Sequence, residues 1–229
     1  MSQYIKDLIL KGENQQLDFK YCITDSKKIA RSLVAFSNTD GGILLIGVKD
    51  NGAITGVKSE EEYYMVEAAA SMYSKPPVAF TYKTWEINGK TVLEVKIEKS
   101  AVKPHYALDN DGKWKVYIRV NDQNLLANRI LLRVWKNKAG NKGIYIRYTQ
   151  NEQKLFEFLD QHHEISLSGF CRIASISRQK ASDILIKFIT LNIIRMVFTE
   201  KGALYQINPD EINTLDEIKE KKHIHVPFH

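Results

Sequence analysis

The sequence predicts an α+β protein with two domains and a tail. Asp50-Asn51-Gly52 and Asn88-Gly89 provide the residues that tight hairpin turns favour, and the second pair separates two alternating strands. Helical apolar patterns lie between the strands, without repeated strand–helix–strand units. The 229 residues suffice for two domains. We expect domains over 1–148 and 149–208, followed by a polar tail over 209–229.

The first elements follow one another closely along the chain. Apolar residues at positions 4, 5, 8 and 9 predict a short amphipathic helix, and residues 16–20 predict a strand. Asp25 or Ser26 can cap the next helix, and Gly41-Gly42 ends it before an apolar strand over 43–48.

Hairpins and helices alternate through the rest of the first domain. A hairpin is expected between residues 80 and 97, after a helix that ends near residue 74. A strand spans 114–120, and Asp122 can cap a helix that runs to about residue 136. The predicted sheet is mixed, with flanking helices.

The second domain begins with a change of pattern near residue 151. Three helices are expected around 155–159 and over 167–174 and 177–191, before two strands over 193–198 and 203–207. Three helices and a terminal hairpin are typical of a winged-helix domain.

The third helix of this domain carries the candidate DNA-reading residues. Ala181, Ile184, Leu185 and Phe188 form its inward stripe. Because the start of such a helix enters the major groove, outward Arg and Gln side chains could contact bases. These outward residues are Ser177, Arg178, Gln179, Ser182 and Lys187. Phosphate contacts are expected from Lys180, Arg172 and Lys201. The alternative is an ordinary solvated helical surface.

Positive charge is concentrated at the end of the first domain. The chain has 33 basic and 27 acidic residues, a formal net charge of +6, and residues 124–150 contain no acidic residue. Candidate phosphate contacts in this segment are Arg129, Arg133, Lys136 and Lys138. On the strand before it, Arg119 could stack on bases if it is exposed.

A more specific signal lies near the N-terminus. The segment ENQQLDFK at 13–20 and the segment FSNTDGGILLIGVKDNGAITGV at 36–57 resemble the AlbA-like domain of the Schlafen superfamily. The match extends more weakly through Pro104-His105-Tyr106 and residues 116–120. The resemblance implies a Schlafen/AlbA-like fold for the first domain. Many bacterial relatives with this domain look like transcriptional regulators.

The resemblance also implies a candidate catalytic site. Some Schlafen relatives are endoribonucleases in which three acidic residues act with a divalent metal. Glu13 and Asp18 match two of these positions, Asp50 is the expected third, and Lys20 matches the family lysine. In this alternative the three carboxylates would hold Mg²⁺ or Mn²⁺, and Lys20 would stabilise phosphate charge. Asp18 replaces the usual glutamate, which shortens the reach of that ligand.

We therefore expect a DNA-binding transcriptional regulator that acts as a homodimer, by analogy with winged-helix regulators. The alternatives are a metal-dependent endoribonuclease that acts on tRNA or other RNA, and a protein-interaction module. No resident cofactor is expected, and the chain lacks the G-x-x-x-x-G-K-[ST] pattern of ATP-binding loops.

The sequence also indicates a cytoplasmic protein. No signal peptide is apparent, and no segment approaches the ~20 apolar residues of a membrane span. Cys22 and Cys171 are expected to remain reduced thiols.

Overall fold

A computed structural model describes residues 2–57, 59–140, 143–199 and 201–226. The chain is of the α+β class and divides into two compact units, Met1–Ala127 (unit 1) and Asn128–His229 (unit 2). None of the helices in the described ranges is long and apolar enough to cross a membrane.

Unit 1 contains three helices and nine strands within its described residues. In chain order these are α1 (Ser2–Lys11), β1 (Leu17–Lys20), α2 (Ser26–Asn38), β2 (Gly42–Ile46), α3 (Glu61–Ser71), β3 (Ser74–Lys75), β4 (Phe80–Ile87), β5 (Lys90–Ile97), β6 (Tyr106–Leu108), β7 (Trp114–Lys115), β8 (Tyr117–Val120) and β9 (Gln123–Leu126).

The main sheet of unit 1 has the strand order β1-β2-β5-β4. β1 runs parallel to β2, and the other neighbours are antiparallel. Leu44 and Ile46 of β2 pack in the core that includes α2, whereas Leu45 packs in the core that includes Ile5 of α1. Since both faces are covered, β2 is apolar at every position after its first glycine.

The double glycine at the start of β2 allows two close approaches. A Cβ on Gly42 would lie 2.4 Å from the Phe36 ring, and one on Gly41 would lie 2.7 Å from the Ile97 carbonyl oxygen. Gly41 also has a φ of +71°, which disfavours other residues. The pair therefore allows close packing against α2 and the end of β5, as well as ending α2.

Two smaller sheets complete unit 1, with strand orders β3-β6-β7 and β8-β9. The helix that Asp122 was expected to cap begins later than predicted. Asn121, with a φ of +55°, lies in a hairpin turn, and residues 123–126 pair with β8 as strand β9. Asn128 is the actual cap, and its side chain accepts a hydrogen bond from the Leu131 N–H.

Unit 2 contains five helices, a 3₁₀ turn and five strands within its described residues. They are α4 (Arg129–Ala139), β10 (Ile144–Arg147), α5 (Gln150–His162), β11 (Ile165–Ser166), α6 (Leu167–Ala174), α7 (Arg178–Thr190), β12 (Ile194–Thr199), β13 (Gly202–Ile207), the 3₁₀ turn (Pro209–Glu211), α8 (Ile212–Lys221) and β14 (His223–Val226). The strands form sheets in the orders β11-β13-β12 and β10-β14.

The flanking segments of unit 2 belong to its core. Ile130 and Val134 of α4 pack in the same cluster as the inward stripe of α7, and so do Leu215 and Ile218 of α8. The compact unit therefore begins at Asn128, earlier than the domain limit expected after residue 148, and it includes most of the expected tail. Residues 227–229 of that tail lie outside the described residues.

Candidate nucleic-acid interface

The Glu13 carboxyl group lies within hydrogen-bonding reach of the Asp18 carboxyl group on β1, and each shifts the pKa of the other. Burial raises the pKa of Glu13 most, and together with the Asp18 hydrogen bond it brings the value to about 7. Burial also raises the pKa of Asp18, but Glu13 and the charges of Lys20 and Arg119 outweigh it, so the net shift is downward. Glu13 therefore carries the proton of this pair when one is bound.

Asp18 already has several partners. Its carboxylate lies 2.9 Å from the Lys20 ammonium and accepts a hydrogen bond from the Ser32 hydroxyl at 3.3 Å. The Arg119 guanidinium lies 3.4 Å away on a side chain that is 1% exposed. The family lysine thus neutralises a buried carboxylate in this structure.

Arg119 is a structural residue, which corrects its expected place at a nucleic-acid surface. Its guanidinium donates hydrogen bonds to the Asn14 and Leu17 carbonyl oxygens and to the Asn124 side chain, and it lies 5.1 Å from the Phe36 ring centroid. A buried side chain with these partners is not available for stacking on a base.

Asp50 is exposed in the turn after β2. The Lys49 N–H donates to the Ala53 carbonyl oxygen at 3.0 Å, which closes this turn. Within the ranges that the structure describes, no three His, Cys, Asp or Glu side chains lie where they could hold one metal ion. The expected metal set of Glu13, Asp18 and Asp50 is therefore not assembled.

The residues that are present do not fit a divalent cation. Such an ion needs free carboxylate oxygens, whereas the Glu13 Oε1 already accepts from the Phe19 N–H at 2.8 Å. Asp18 is bound by Lys20 and Arg119. We derive no hydrolytic step from this arrangement.

Asn38 forms a second buried polar contact in unit 1. Its amide donates to the carbonyl oxygens of His105 and Tyr117, both at 2.9 Å, and its side-chain oxygen accepts from the His105 N–H. The His105 ring lies 2.9 Å from both the Pro76 carbonyl oxygen and the Ser100 hydroxyl. The motif asparagine therefore joins three segments of chain, a role that its sequence neighbours did not indicate.

The start of α7 presents exposed polar side chains. Ser177 caps the helix by accepting from the Lys180 N–H at 3.3 Å, so this hydroxyl is already used. Arg178 and Lys180 of the first turn are exposed, as is Lys187 farther along. The Ser182 hydroxyl donates to the Arg178 carbonyl oxygen at 2.7 Å. The cations of α7 are thus better placed for an external ligand than its two serines.

Asp183 holds two of the expected contact residues. It accepts from the Gln179 amide at 3.1 Å through both carboxylate oxygens and lies 2.5 Å from the Arg133 guanidinium of α4. Lys138 of α4 donates to the Asn192 side chain at 2.7 Å. Gln179, Arg133 and Lys138 would have to exchange these partners before meeting another ligand.

α4 also covers part of α7. Ile186, Ile189 and Thr190 are buried in addition to the inward stripe expected for α7. This packing was not anticipated from the sequence, because α4 was assigned to the first domain and α7 was treated as part of an isolated three-helix domain. The exposed surface of α7 is therefore widest at its first turns.

Other expected contact residues are exposed on neighbouring elements of unit 2. Arg172 lies on α6 and Lys201 lies in the turn between β12 and β13. Arg129 and Lys136 are exposed on α4. Sequence reasoning overlooked Arg195 of β12, which is also exposed and donates to the Gln206 side chain at 3.0 Å.

The unit boundary changes where the positive charge is located. Residues 128–229 contain 16 Lys and Arg against 11 Asp and Glu, a net charge of +5. Residues 1–127 contain 17 against 16, a net charge of +1. Because the basic segment around α4 belongs to unit 2, most of the net charge does too.

Comparison with known proteins identifies the first part of the chain. The family model described as Schlafen, AlbA_2 matches residues 13–128, which is half of the 229-residue chain. No curated protein matches the chain.

Two solved structures are similar at low sequence identity. The DIP2311 protein from Corynebacterium diphtheriae is 16% identical over 84% of this chain and 34% of its own, with a TM-score of 0.43. The N-terminal domain of a putative ATP-dependent DNA helicase RecG-related protein from Nitrosomonas europaea is 22% identical over 55% of this chain and 95% of its own, with a TM-score of 0.38. The chain thus spans about a third of the DIP2311 protein, and neither likeness carries an argument about function.

Proposed function

The chain belongs to the Schlafen AlbA_2 family, and we propose that it is a nucleic-acid-binding protein that contacts DNA through unit 2. The observation that carries the proposal is the exposed cationic start of α7, where Arg178 and Lys180 stand on a helix whose other faces are packed. The proposal extends to regulation of transcription in the cytoplasm.

The order of elements supports a winged-helix domain over residues 149–208. Helix α5, the short strand β11, helices α6 and α7, and the hairpin of β12 and β13 follow one another, and β13 lies between the other two strands. In a winged-helix domain the third helix enters the major groove and the hairpin forms the wing. α7 would be the reading helix here.

The side chains of α7 have the chemistry for this role. An Arg can bind guanine through two hydrogen bonds, and a Gln can do the same with adenine. Arg178 is exposed, whereas Gln179 would first have to leave Asp183. We therefore assign base contact to Arg178 and place Lys180 and Lys187 on phosphates.

Surrounding cations would fix the position of the duplex. Lys201 at the hairpin turn, Arg172 of α6, and Arg129 and Lys136 of α4 are exposed. Contacts of this type set register without reading sequence. With six such contacts, the affinity for DNA would fall by about 10³-fold when the salt concentration rises from 50 to 200 mM.

A homodimer completes the proposal, because a two-fold protein matches a palindromic site. The two other functions considered from the sequence receive less support. Among the described residues, Glu13, Asp18 and Asp50 do not form the metal-holding group that the endoribonuclease alternative needs. The net charge of unit 2 favours a polyanion over a neutral protein surface.

Fluorescence anisotropy with mixed-sequence duplex DNA tests the proposal. The double variant Arg178→Ala/Lys180→Ala should weaken binding by about tenfold or more and lower the slope of log affinity against log salt. The matched control Lys154→Ala/Lys221→Ala removes two exposed charges from α5 and α8. Equal loss in both variants, or no binding by the wild-type chain at low salt, would reject α7 as the reading helix.

A further inference from the structure

β4 is an edge strand of the main sheet in unit 1. It is the last strand in the order β1-β2-β5-β4, and no strand of the described chain pairs with its outer side. It is eight residues long, and residues 81–84 are all exposed. A long edge of this kind offers unpaired backbone groups to another strand.

The hairpin register shows which backbone groups point outward. Ile87 and Lys90 flank a two-residue turn and form its closing hydrogen-bonded pair. Because hydrogen-bonded pairs alternate along an antiparallel ladder, residues 81, 83 and 85 also bond to β5. The N–H and C=O groups of Phe80, Tyr82, Thr84 and Glu86 therefore face away from β5.

We propose that a second copy of this chain pairs with this edge, β4 against β4, with Thr84 opposite Thr84 on a two-fold axis. In that register the backbone of Thr84 forms hydrogen bonds with Thr84 of the second copy, and that of Tyr82 with Glu86 of the second copy, all through outward-facing N–H and C=O groups. The two sheets then become one continuous eight-stranded sheet. This interface rests on the proposed homodimer and is independent of DNA binding.

Charge and ring chemistry favour this register. Centred on Thr84, it sets Lys83 beside Trp85 of the second copy, and Lys83 already lies 4.1 Å from the ring centroid of its own Trp85. It also sets the Tyr82 hydroxyl near a Glu86 carboxylate. Two-fold pairing centred on residue 83 or 86 would instead oppose two lysines or two glutamates, which destabilises a strand pair.

Aromatic side chains extend this edge on one face of the sheet. Tyr82 is 54% exposed, and its ring centroid lies 4.4 Å from that of Tyr63 on α3. The Tyr63 ring in turn contacts the ring of Tyr64, which is 59% exposed. Tyrosines of this type bury large areas at interfaces while their hydroxyls keep polar partners. They add apolar area to a strand pair that is short for a stable dimer.

The test uses opposite charges at the two-fold axis. Thr84→Asp and Thr84→Lys each place two like charges directly opposite one another, so each should raise the dimer dissociation constant by about tenfold or more. Mixing the two variants places Asp opposite Lys and should restore the dimer as a heterodimer. Sedimentation equilibrium of the full chain without DNA measures the dimer dissociation constant of each variant and of the mixture. The control Thr24→Asp makes the same substitution at an exposed residue outside β4 and should leave the dimer unchanged.

Several outcomes would overturn this interface. A wild-type chain that stays monomeric at high concentration leaves the edge open to a strand of another protein. A dimer that Thr84→Asp does not weaken lies on another surface, and a mixture that stays monomeric rules out this register. Anisotropy with a short duplex separates this result from the proposed function, because Thr84→Asp leaves the cations of α7 intact.

Discussion

The polar and charged residues singled out in unit 1 and in unit 2 are held in different ways. In unit 1, Asp18, Asn38 and Arg119 are each 2–3% exposed, and their polar atoms bind neighbouring segments of the chain. In unit 2, Arg178, Lys180 and Lys187 are exposed on a helix that is packed on its other faces. The first arrangement stabilises a fold, whereas the second can meet a ligand.

This difference bears on the meaning of the family pattern. The family match covers residues 13–128 and so includes the buried polar residues of unit 1. The exposed cations of α7 lie outside that match. Residues that identify a family are thus not necessarily those that bind its ligand, because a buried polar network is as demanding of residue type as a binding site.

The largest effect expected from this comparison is on stability. Arg119→Met leaves Asp18 buried with less compensation and removes hydrogen bonds to two backbone carbonyls, so the free energy of unfolding should fall by about 3–5 kcal/mol. Urea denaturation measures this change. Lys20→Met removes the more exposed partner of Asp18 and should cost about 1 kcal/mol or less. Equal losses would show that Arg119 has no special structural role.

Packing at the double glycine should produce the next largest effect. Gly42→Ala places a Cβ 2.4 Å from the Phe36 ring, and relief of this overlap should cost about 1–3 kcal/mol. Gly140→Ala is the control, since its Cβ would meet backbone oxygens no closer than 3.5 Å and its φ is not positive. A Gly42→Ala protein as stable as the wild type would mean that the helix and strand separate readily.

Much of the local structure could be predicted because turns and caps act over a few residues. The Asn88-Gly89 hairpin, the Asp25 cap of α2 and the inward residues of α7 were found where expected. Asp122 was wrong as a helix cap because Asn128 has the same capping chemistry six residues later. The pairing of residues 123–126 with β8, which decides between them, depends on tertiary structure.

The candidate sites were harder to predict because they depend on contacts between distant segments. Nothing in the sequence around Arg119 shows whether its side chain faces solvent or pairs with the buried Asp18. The packing of α4 against α7, which pairs Arg133 with Asp183, likewise has no local signal. The family resemblance identified the three acidic residues as candidate ligands. Only the fold shows that, among the described residues, Asp50 does not join Glu13 and Asp18 in a group that could hold a metal ion.

Removing the negative charge of Asp183 should have a smaller effect, on the DNA affinity of α7. Asp183 neutralises Arg133 and holds Gln179. Asp183→Asn should weaken its hold on both and strengthen DNA binding by about threefold to tenfold, because a charge that repels phosphate is lost. The control Asp160→Asn removes an exposed charge from α5. Anisotropy at one fixed salt concentration compares the two. Weaker binding by Asp183→Asn would mean that the ion pair positions α7.

The last effect is a pH dependence of stability from Glu13. Its pKa is raised from 4.5 to about 7 in the folded protein, so folding favours its protonated form. The contribution of Glu13 to stability is therefore fully present below pH 4.5 and is lost as pH rises to about 7. Urea titrations across this range should show the decline, and Glu13→Gln should flatten it. The same slope in both proteins would assign the dependence to another group.

Amide hydrogen exchange of the full chain, with and without duplex DNA, compares the two units most directly. DNA should slow exchange at the start of α7 and at the turn between β12 and β13, and should leave exchange in residues 13–126 unchanged. Slower exchange confined to unit 1, around Glu13 and Asp18, would contradict this expectation and return the binding site to the family domain.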